Sequence, residues 1–526
     1  YIVRFPLAQT LPLALLALTG LGAPAAAGSA ETTALPAAVP EAFDAPHSEA
    51  PAEPGPTLDP WAHEIEARLQ QLALRSEPEH AATRGRLTRS SASQLDRLLR
   101  VASRSAEVAI TVRDLDTGAV LFDHHGDEAL NPASNQKILT AVAAVELLGA
   151  DYRFETRVAL HDGTLYLIGE GDPSLQRDDL ESLVAEVAAR VRPGDVRRIV
   201  IDDSAFSERR FGPGYDEDGP GHSYMAPSGA LSLQFNTVEI QVSGTRPGRP
   251  VAVSVSPSCA HVEVHASATT GRGSVRVQTS SAGDHTRVDV RGQLAAGSGT
   301  VRVRRRITDP GLFTGTAFAE SLRRAWRTGD ALEVVRGRVP DGALEIAVHR
   351  STPLAEVLAS ALKFSNNFTT EQVLRTLGWR MSGEPGDWDN GARALERFWA
   401  ALGQTPDDLA FENASGLSRK GRVTTRALVD LLSLTVEADR EAALLWSSMP
   451  VAGREGTLRK RLGSTGGRVR AKTGTLRGAS ALSGVVVDRK GTPRLGFSIL
   501  LNGRIDASQS RRIQDRMVMA LVDHVR

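Results

Sequence analysis

The sequence predicts an α/β protein of the α+β kind, with one antiparallel sheet flanked by helices and split by a long β-rich insertion. Three observations lead there. Alternating apolar runs at 108–112 and 120–122 flank Asp116-Thr117-Gly118, the pattern of a β-hairpin. Three more strand-like runs, at 468–475, 481–487 and 495–501, follow one another late in the chain with polar turns between them. Between the two groups the texture changes to short β-like runs rich in glycine, and lysine disappears. Two early and three late strands can share a sheet only if the segment between them is looped out, with the helical stretches covering the faces.

In chain order, residues 1–30 have the pattern of an export signal. Arg4 begins it, 11–21 form an apolar run, and Ala25-Ala26-Ala27 offers a small-residue cleavage site. The run is short for a membrane span and no stop-transfer segment follows, which predicts an exported protein, periplasmic or otherwise extracytoplasmic. Residues 31–60 are Ala/Pro/Glu-rich and aperiodic, a composition that buries too little to offset its ordering entropy; they are expected to be a disordered linker. The first part of the split domain, 61–150, contains a helical period over 61–99, the hairpin, and a helix running from the Asn131-Pro132 break to Leu148, with Gly149 as its C-terminal cap. The insertion spans 151–349 and includes a Ser/Thr/Val-rich all-β module over about 246–305. The second part of the split domain, 350–526, opens with a helical period from 353 to 377, broken by polar residues. A second helical period covers 424–448, and the three late strands follow. The last stretch, 511–525, reads as a helix packed on the sheet, with weak peripheral membrane contact as the secondary reading of its basic face.

Composition narrows the function by exclusion. Lys+Arg and Asp+Glu are 62 each, so no bulk charge points to nucleic acid as a partner. One cysteine, Cys259, excludes an internal disulfide framework and any multi-cysteine metal site. Six of the 62 basic residues are lysines: Lys137, Lys363, Lys420, Lys460, Lys472 and Lys490. In a chain that otherwise uses arginine, each lysine is a candidate for chemistry that needs a neutralisable amine.

Ser134-Asn135-Gln136-Lys137 follows the Asn131-Pro132 break. A serine at a helix start has free backbone N–H groups beside it, and a lysine three residues on lies one turn away on the same face. Such an amine can deprotonate the hydroxyl if burial or another cation lowers its pKa; the bland alternative is a helix cap beside a surface lysine. Spacing alone is weak, because Ser360-Ala-Leu-Lys363 has it too, well inside a helical run, and is a decoy. Ser365-Asn366-Asn367 sits in the break between two helical segments, where Ser365 can relay a proton and Asn367 can bind an amide. On their own these residues could equally be helix caps. Lys472-Thr473-Gly474 and Thr475 lie in a strand: a point charge, hydroxyls, and a glycine that permits close backbone approach. The plain alternative there is an edge strand protected by lysine. Asp123-His124-His125-Gly126-Asp127 offers metal-ligand types, but at a hairpin end without a helical zinc pair it reads as a solvated turn.

The order Ser-x-x-Lys, Ser-x-Asn, Lys-Thr-Gly resembles the signature set of penicillin-binding proteins and serine β-lactamases. The 228 positions from Lys137 to Ser365 are too many for a compact β-lactamase. The chain is most similar to the low-molecular-mass class C penicillin-binding proteins, the D-alanyl-D-alanine carboxypeptidase/endopeptidase family, whose transpeptidase-like domain is interrupted at this point. Pro132-Ala133-Ser134, Gly169 to Pro173, Ala226-Pro227, Ser415-Gly416-Leu417-Ser418, Gly453 to Arg461 and the AKTGTL around Lys472 resemble family landmarks. Asn413-Ala414 departs from the usual Asp-Gly, and Gln234 stands where asparagine is commoner.

The resemblance implies a serine D-Ala-D-Ala carboxypeptidase/DD-endopeptidase acting on peptidoglycan stem peptides and cross-links. Ser134 would be the nucleophile, Lys137 the general base, and Ser365 the relay to the leaving amine. Asn367, Lys472, Thr473, Gly474 and Thr475 would bind substrate, and the backbone N–H groups of Ser134 and Thr475 would form the oxyanion hole. It implies no metal or cofactor, and β-lactam antibiotics as covalent inhibitors of the same serine. A β-lactamase-like hydrolase and a non-catalytic cell-wall-binding scaffold on the same fold are the alternatives.

Overall fold

In the computed structural model the described residues are 60–75, 85–329, 331–405, 409–443 and 445–525. The export signal and nearly all of the linker expected from the sequence lie outside them. The chain opens with helices α1 (Pro60–Arg75) and α2 (Arg89–Ala102), strands β1 (Ala106–Asp114) and β2 (Val120–His124), and helix α3 (Gln136–Leu148). Then come β3 (Glu155–His161), β4 (Thr164–Gly169), α4 (Arg177–Arg190), β5 (Arg198–Asp202) and β6 (Thr237–Ser243). The succession β7 (Ala252–Ser256), β8 (Val262–Ala266), β9 (Thr269–Thr270), β10 (Val275–Ala282), β11 (His285–Leu294) and β12 (Val301–Arg306) is all strand. Helix α5 (Pro310–Trp326) and strands β13 (Glu333–Arg336) and β14 (Leu344–Arg350) complete the interval. Helices α6 (Leu354–Phe364), α7 (Asn367–Ser382) and α8 (Trp388–Ala401), the short pair β15 (Leu409–Ala410) and β16 (Arg422–Val423), and α9 (Thr425–Leu434) follow. Strands β17 (Val469–Leu476), β18 (Ala479–Val487) and β19 (Pro493–Gly503) and helix α10 (Ala507–His524) end it.

The central sheet has the order β17-β18-β19-β1-β2 and is antiparallel throughout. The two early strands and three late strands do share one sheet. The junction is β1 on β19, in register from Ala106 opposite Gly503 to Asp114 opposite Leu495. Every residue of β18 is buried, so helices must cover both faces. On β19 the sides alternate: Phe497, Ile499 and Leu501 meet Leu95, Leu98, Met517 and Leu521 of α2 and α10, whereas Leu500 belongs to the core built on α3 and α9. The apolar face of α10 is therefore covered by the sheet.

The interval between α3 and α6 holds a second, mixed sheet, β13-β5-β4-β3-β14, in which β4, β5 and β13 are parallel. Two small sheets, β10-β11-β8 with β9 and β12-β6-β7, stand beside it, and Leu183, Val187, Ile201, Ile240, Val288, Phe313 and Phe318 share its core. Helices α4 and α5 were not anticipated: the strand-like runs around them dominate the local pattern, and each helix buries only one stripe. The helix expected over 424–448 ends at Leu434, and only a short 3-10 turn, Leu445–Ser448, resumes it.

Candidate active site

Helix α3 is buried along its whole length, all 13 residues from Gln136 to Leu148, because QKILTAVAAVELL is apolar nearly all round. Lys137 is part of that helix and is 0% exposed. The short 3-10 turn Ala133–Asn135 leads into it and leaves Ser134 only half-buried. Ala133, just before the serine, takes φ 44°, a left-handed conformation that costs an L residue energy and needs support. Asn131 supplies it. Its side chain accepts from Ala133 N at 2.9 Å and donates to Ser418 O at 3.1 Å, and its backbone pairs with the Asn502 amide through two bonds, 2.7 and 3.1 Å.

The break at 365–366 arises because Ser365 caps α6 at φ 58° and Asn366 caps α7 by accepting from Thr369 N. The two motif side chains around it meet different lysines. Asn367 Oδ1 accepts from Lys137 Nζ at 2.8 Å, and Ser365 Oγ accepts from Lys472 Nζ at 2.8 Å. Lys137 Nζ lies 3.3 Å from Ser134 Oγ and donates to the Ser415 carbonyl at 2.6 Å. Lys472, also 0% exposed, donates to the Thr473 carbonyl as well. Thr473 is half-exposed and donates to Thr457; Thr475, two residues along the same face of β17, is exposed.

Gly474 has a role that differs from the one its sequence position suggests. A Cβ there would lie 2.7 Å from the Pro132 carbonyl and 3.0 Å from Ser134 N, so the glycine admits the turn that carries Ser134 against β17. Asn135 fastens the same contact: its amide donates to the Lys472 carbonyl at 2.9 Å, and its oxygen accepts from Ser483 Oγ at 2.6 Å.

The electrostatics follow from burial. Desolvation brings the Lys137 amine down from 10.5 to about 7, against the opposing pull of the Glu371 carboxylate. Burial, and secondarily the Lys137 charge, hold Lys472 well below the usual lysine range. Two amines in one dry site disfavour each other's protonation. The main cause of the low Lys137 value is thus burial rather than a neighbouring cation.

Other residues complete the site. Glu371, 1% exposed on α7, accepts from Ala414 N, Ser415 N and Trp388 Nε1, which fixes the Ser415 carbonyl in front of Lys137. Sequence reading missed Glu371, Asn131 and Ser415 as site-builders; Asn131 beside proline and the Ser415-Gly416 turn were the available signals, while a glutamate inside a helix carried none. Gly416 at φ 73° must be glycine, since a Cβ would lie 1.9 Å from the Ala133 carbonyl. The decoy resolves cleanly: Ser360 is exposed and Lys363 pairs with Glu455 at 3.0 Å. Asp123 and Asp127 both pair with Arg426, and among the described residues no group of three His, Cys, Asp or Glu side chains is placed to hold a metal ion.

An antiparallel sheet with helices on both faces, interrupted between the Ser-x-x-Lys helix and the Ser-x-Asn loop, defines a serine-type peptidase of the penicillin-binding fold. The chain belongs to the D-Ala-D-Ala carboxypeptidase 3 (S13) family, which matches residues 91–523. It is 36% identical over 455 residues to a D-alanyl-D-alanine carboxypeptidase of Actinomadura sp. (strain R39), covering 80% of this chain and 82% of that one. It is 24% identical to D-alanyl-D-alanine carboxypeptidase DacB of Haemophilus influenzae over 76% of this chain and 86% of that one. Penicillin binding protein 4 (dacB) of Haemophilus influenzae has a similar fold, with a TM-score of 0.69 at 21% identity, over 82% of this chain and 99% of that one. A second structure of that protein, complexed with a β-lactam, matches with a TM-score of 0.66 at 21% identity and the same coverage.

Proposed function

We propose that this serine-type D-Ala-D-Ala carboxypeptidase is exported and acts on peptidoglycan stem peptides, with Ser134 as nucleophile and Lys137 as its base. The observation that carries the assignment is a wholly buried amine, brought down to about 7, lying 3.3 Å from a half-exposed serine hydroxyl. Ser134 Oγ attacks the carbonyl of the penultimate D-Ala as its proton passes to Lys137 Nζ. The C–N bond to the terminal D-Ala breaks, and that amine takes up a proton through Ser365, whose hydroxyl is held by Lys472. Water then hydrolyses the ester. Lys472, Thr473 and Thr475 line the strand on which the terminal carboxylate docks, and Asn367 takes the substrate amide. A strained β-lactam amide mimics the scissile bond and acylates the same serine. Cross-links are a second substrate wherever the leaving amine belongs to a neighbouring stem.

Labelling with a fluorescent penicillin tests the nucleophile: wild type is expected to be labelled and Ser134→Ala not. Undiminished labelling of the mutant sinks the assignment. Unlabelled but folded wild type favours a scaffold, and rapid loss of label favours a β-lactamase. Purified muropeptides then separate D-Ala release from cross-link cleavage.

A further inference from the structure

The inserted segment reaches Ser415, whose carbonyl accepts from Lys137, through Gly212-Pro213-Gly214-Tyr215. This short arm lies on the 413–418 turn and α8, and two glycines make room for it. A Cβ on Gly212 would lie 2.3 Å from the Trp388 indole nitrogen. Gly214 stands at φ 83°, and its Cβ would lie 2.9 Å from Ser418 Cα. Asn413 ties the two pieces together: its amide nitrogen donates to the Pro213 carbonyl at 2.7 Å while its oxygen accepts from Gly416 N at 3.0 Å. An aspartate could accept but not donate, so the departure from Asp at this position has a structural counterpart in the arm.

At the tip, the Tyr215 hydroxyl is buried beside the Ser415 hydroxyl, which is also buried, and neither oxygen makes a well-formed hydrogen bond to any described residue, the other hydroxyl included. Unpaired buried hydroxyls are costly, so these two neighbours gain by turning toward each other. Ser415 is the residue whose carbonyl receives Lys137 Nζ and whose N–H is held by Glu371. Burial and the Glu371 carboxylate keep the phenol protonated, so it remains a donor.

We propose that Tyr215, carried in by the insertion, is a positioning residue for the Lys137 amine: through Ser415 it holds the amine's carbonyl acceptor in place and closes its site to water. The proposal rests on Lys137 acting as the base. The charged groups that act on this amine are Glu371 from α7 and Lys472 from β17; Ser134, Asn367 and the Ser415 carbonyl are its neutral neighbours, and the Tyr215 hydroxyl from the arm meets Glu371 and Ser415 behind them.

The test is the second-order rate of acylation of the full chain by a fluorescent penicillin from pH 5.5 to 9.5, with thermal midpoints measured in parallel. Tyr215→Phe removes the hydroxyl and keeps the ring; Gly214→Ala lifts the arm without touching either partner. Each is expected to slow acylation about 10-fold at neutral pH, the usual effect of losing a group that orients another. Each is also expected to move the acidic limb to higher pH, so that much of the rate returns in alkali, with the larger displacement in Gly214→Ala. A limb superimposable on wild type in both folded variants overturns the proposal, even if their midpoints fall, because a purely structural role changes stability alone. Lys137→Arg separates the two readings. If it acylates normally, Lys137 is not the base; if it is inactive while the arm variants behave as wild type, only the role of Tyr215 is refuted.

Discussion

Lys137 Nζ and Asn367 Oδ1 are 2.8 Å apart although 230 positions separate them in the chain. This bond joins the helix before the insertion to the helix after it, so the cluster around Lys137 is complete only when both stretches of chain are folded together.

The acylation rate should fall as pH drops through about 7. The sign follows from burial: the amine is brought down to about 7 from 10.5, and below that value it carries a proton and cannot accept the one on Ser134. Because Lys472 is depressed in the same site, the limb belongs to the pair. Over roughly pH 7 to 10.5 the unfolded chain binds more protons than the folded one, so thermal stability should rise with pH across that window. A limb below pH 5 would contradict the base assignment.

Lys137→Arg should lower acylation by about 10²–10⁴-fold, the range for losing a general base, since a guanidinium stays protonated. Single-turnover labelling measures it.

Ser365→Gly offers a clean deletion of a hydroxyl. Ser365 already sits at φ 58°, where glycine carries no Cβ penalty, so the α6–α7 break should survive, and that gain should offset part of the cost of removing an acceptor from the buried Lys472 amine. Loss of the relay should cost about 10²-fold or more in D-Ala release. A variant with wild-type turnover would remove Ser365 from the mechanism.

Gly474→Ala should be destabilised by about 1–3 kcal/mol and acylate slowly, because its methyl group meets the Pro132 carbonyl and Ser134 N. Thermal unfolding and labelling together check this; unchanged values would mean that β17 and the nucleophile turn separate without cost.

Ser360→Ala should alter stability by no more than about 0.5 kcal/mol and leave labelling unchanged, as befits an exposed residue whose neighbour Lys363 is occupied by Glu455.

Much of this was legible in the sequence. The hairpin at Gly118 and the three late strands follow from period-2 alternation and turn residues, which are local properties, and the scarcity of lysine directed attention to Lys137 and Lys472. The serine–lysine spacing was not sufficient, since Ser360 and Lys363 share it but lie inside a helix and are more exposed. Helices α4 and α5 escaped because flanking strand-like runs masked their single apolar stripes. The arm at Tyr215 and the carboxylate of Glu371 carried no local pattern.

By itself, then, the sequence determined which residue types stand in which order, and with them the family and the sheet's five strands. The tertiary structure decided which lysine meets which partner, Asn367 on Lys137 and Ser365 on Lys472, and that both amines are dry. Residue order is a local fact, whereas desolvation and hydrogen-bond partnership belong to groups brought together from distant parts of the chain. The apolar residues beside Lys137 foreshadow its burial, but not the partners that meet its amine.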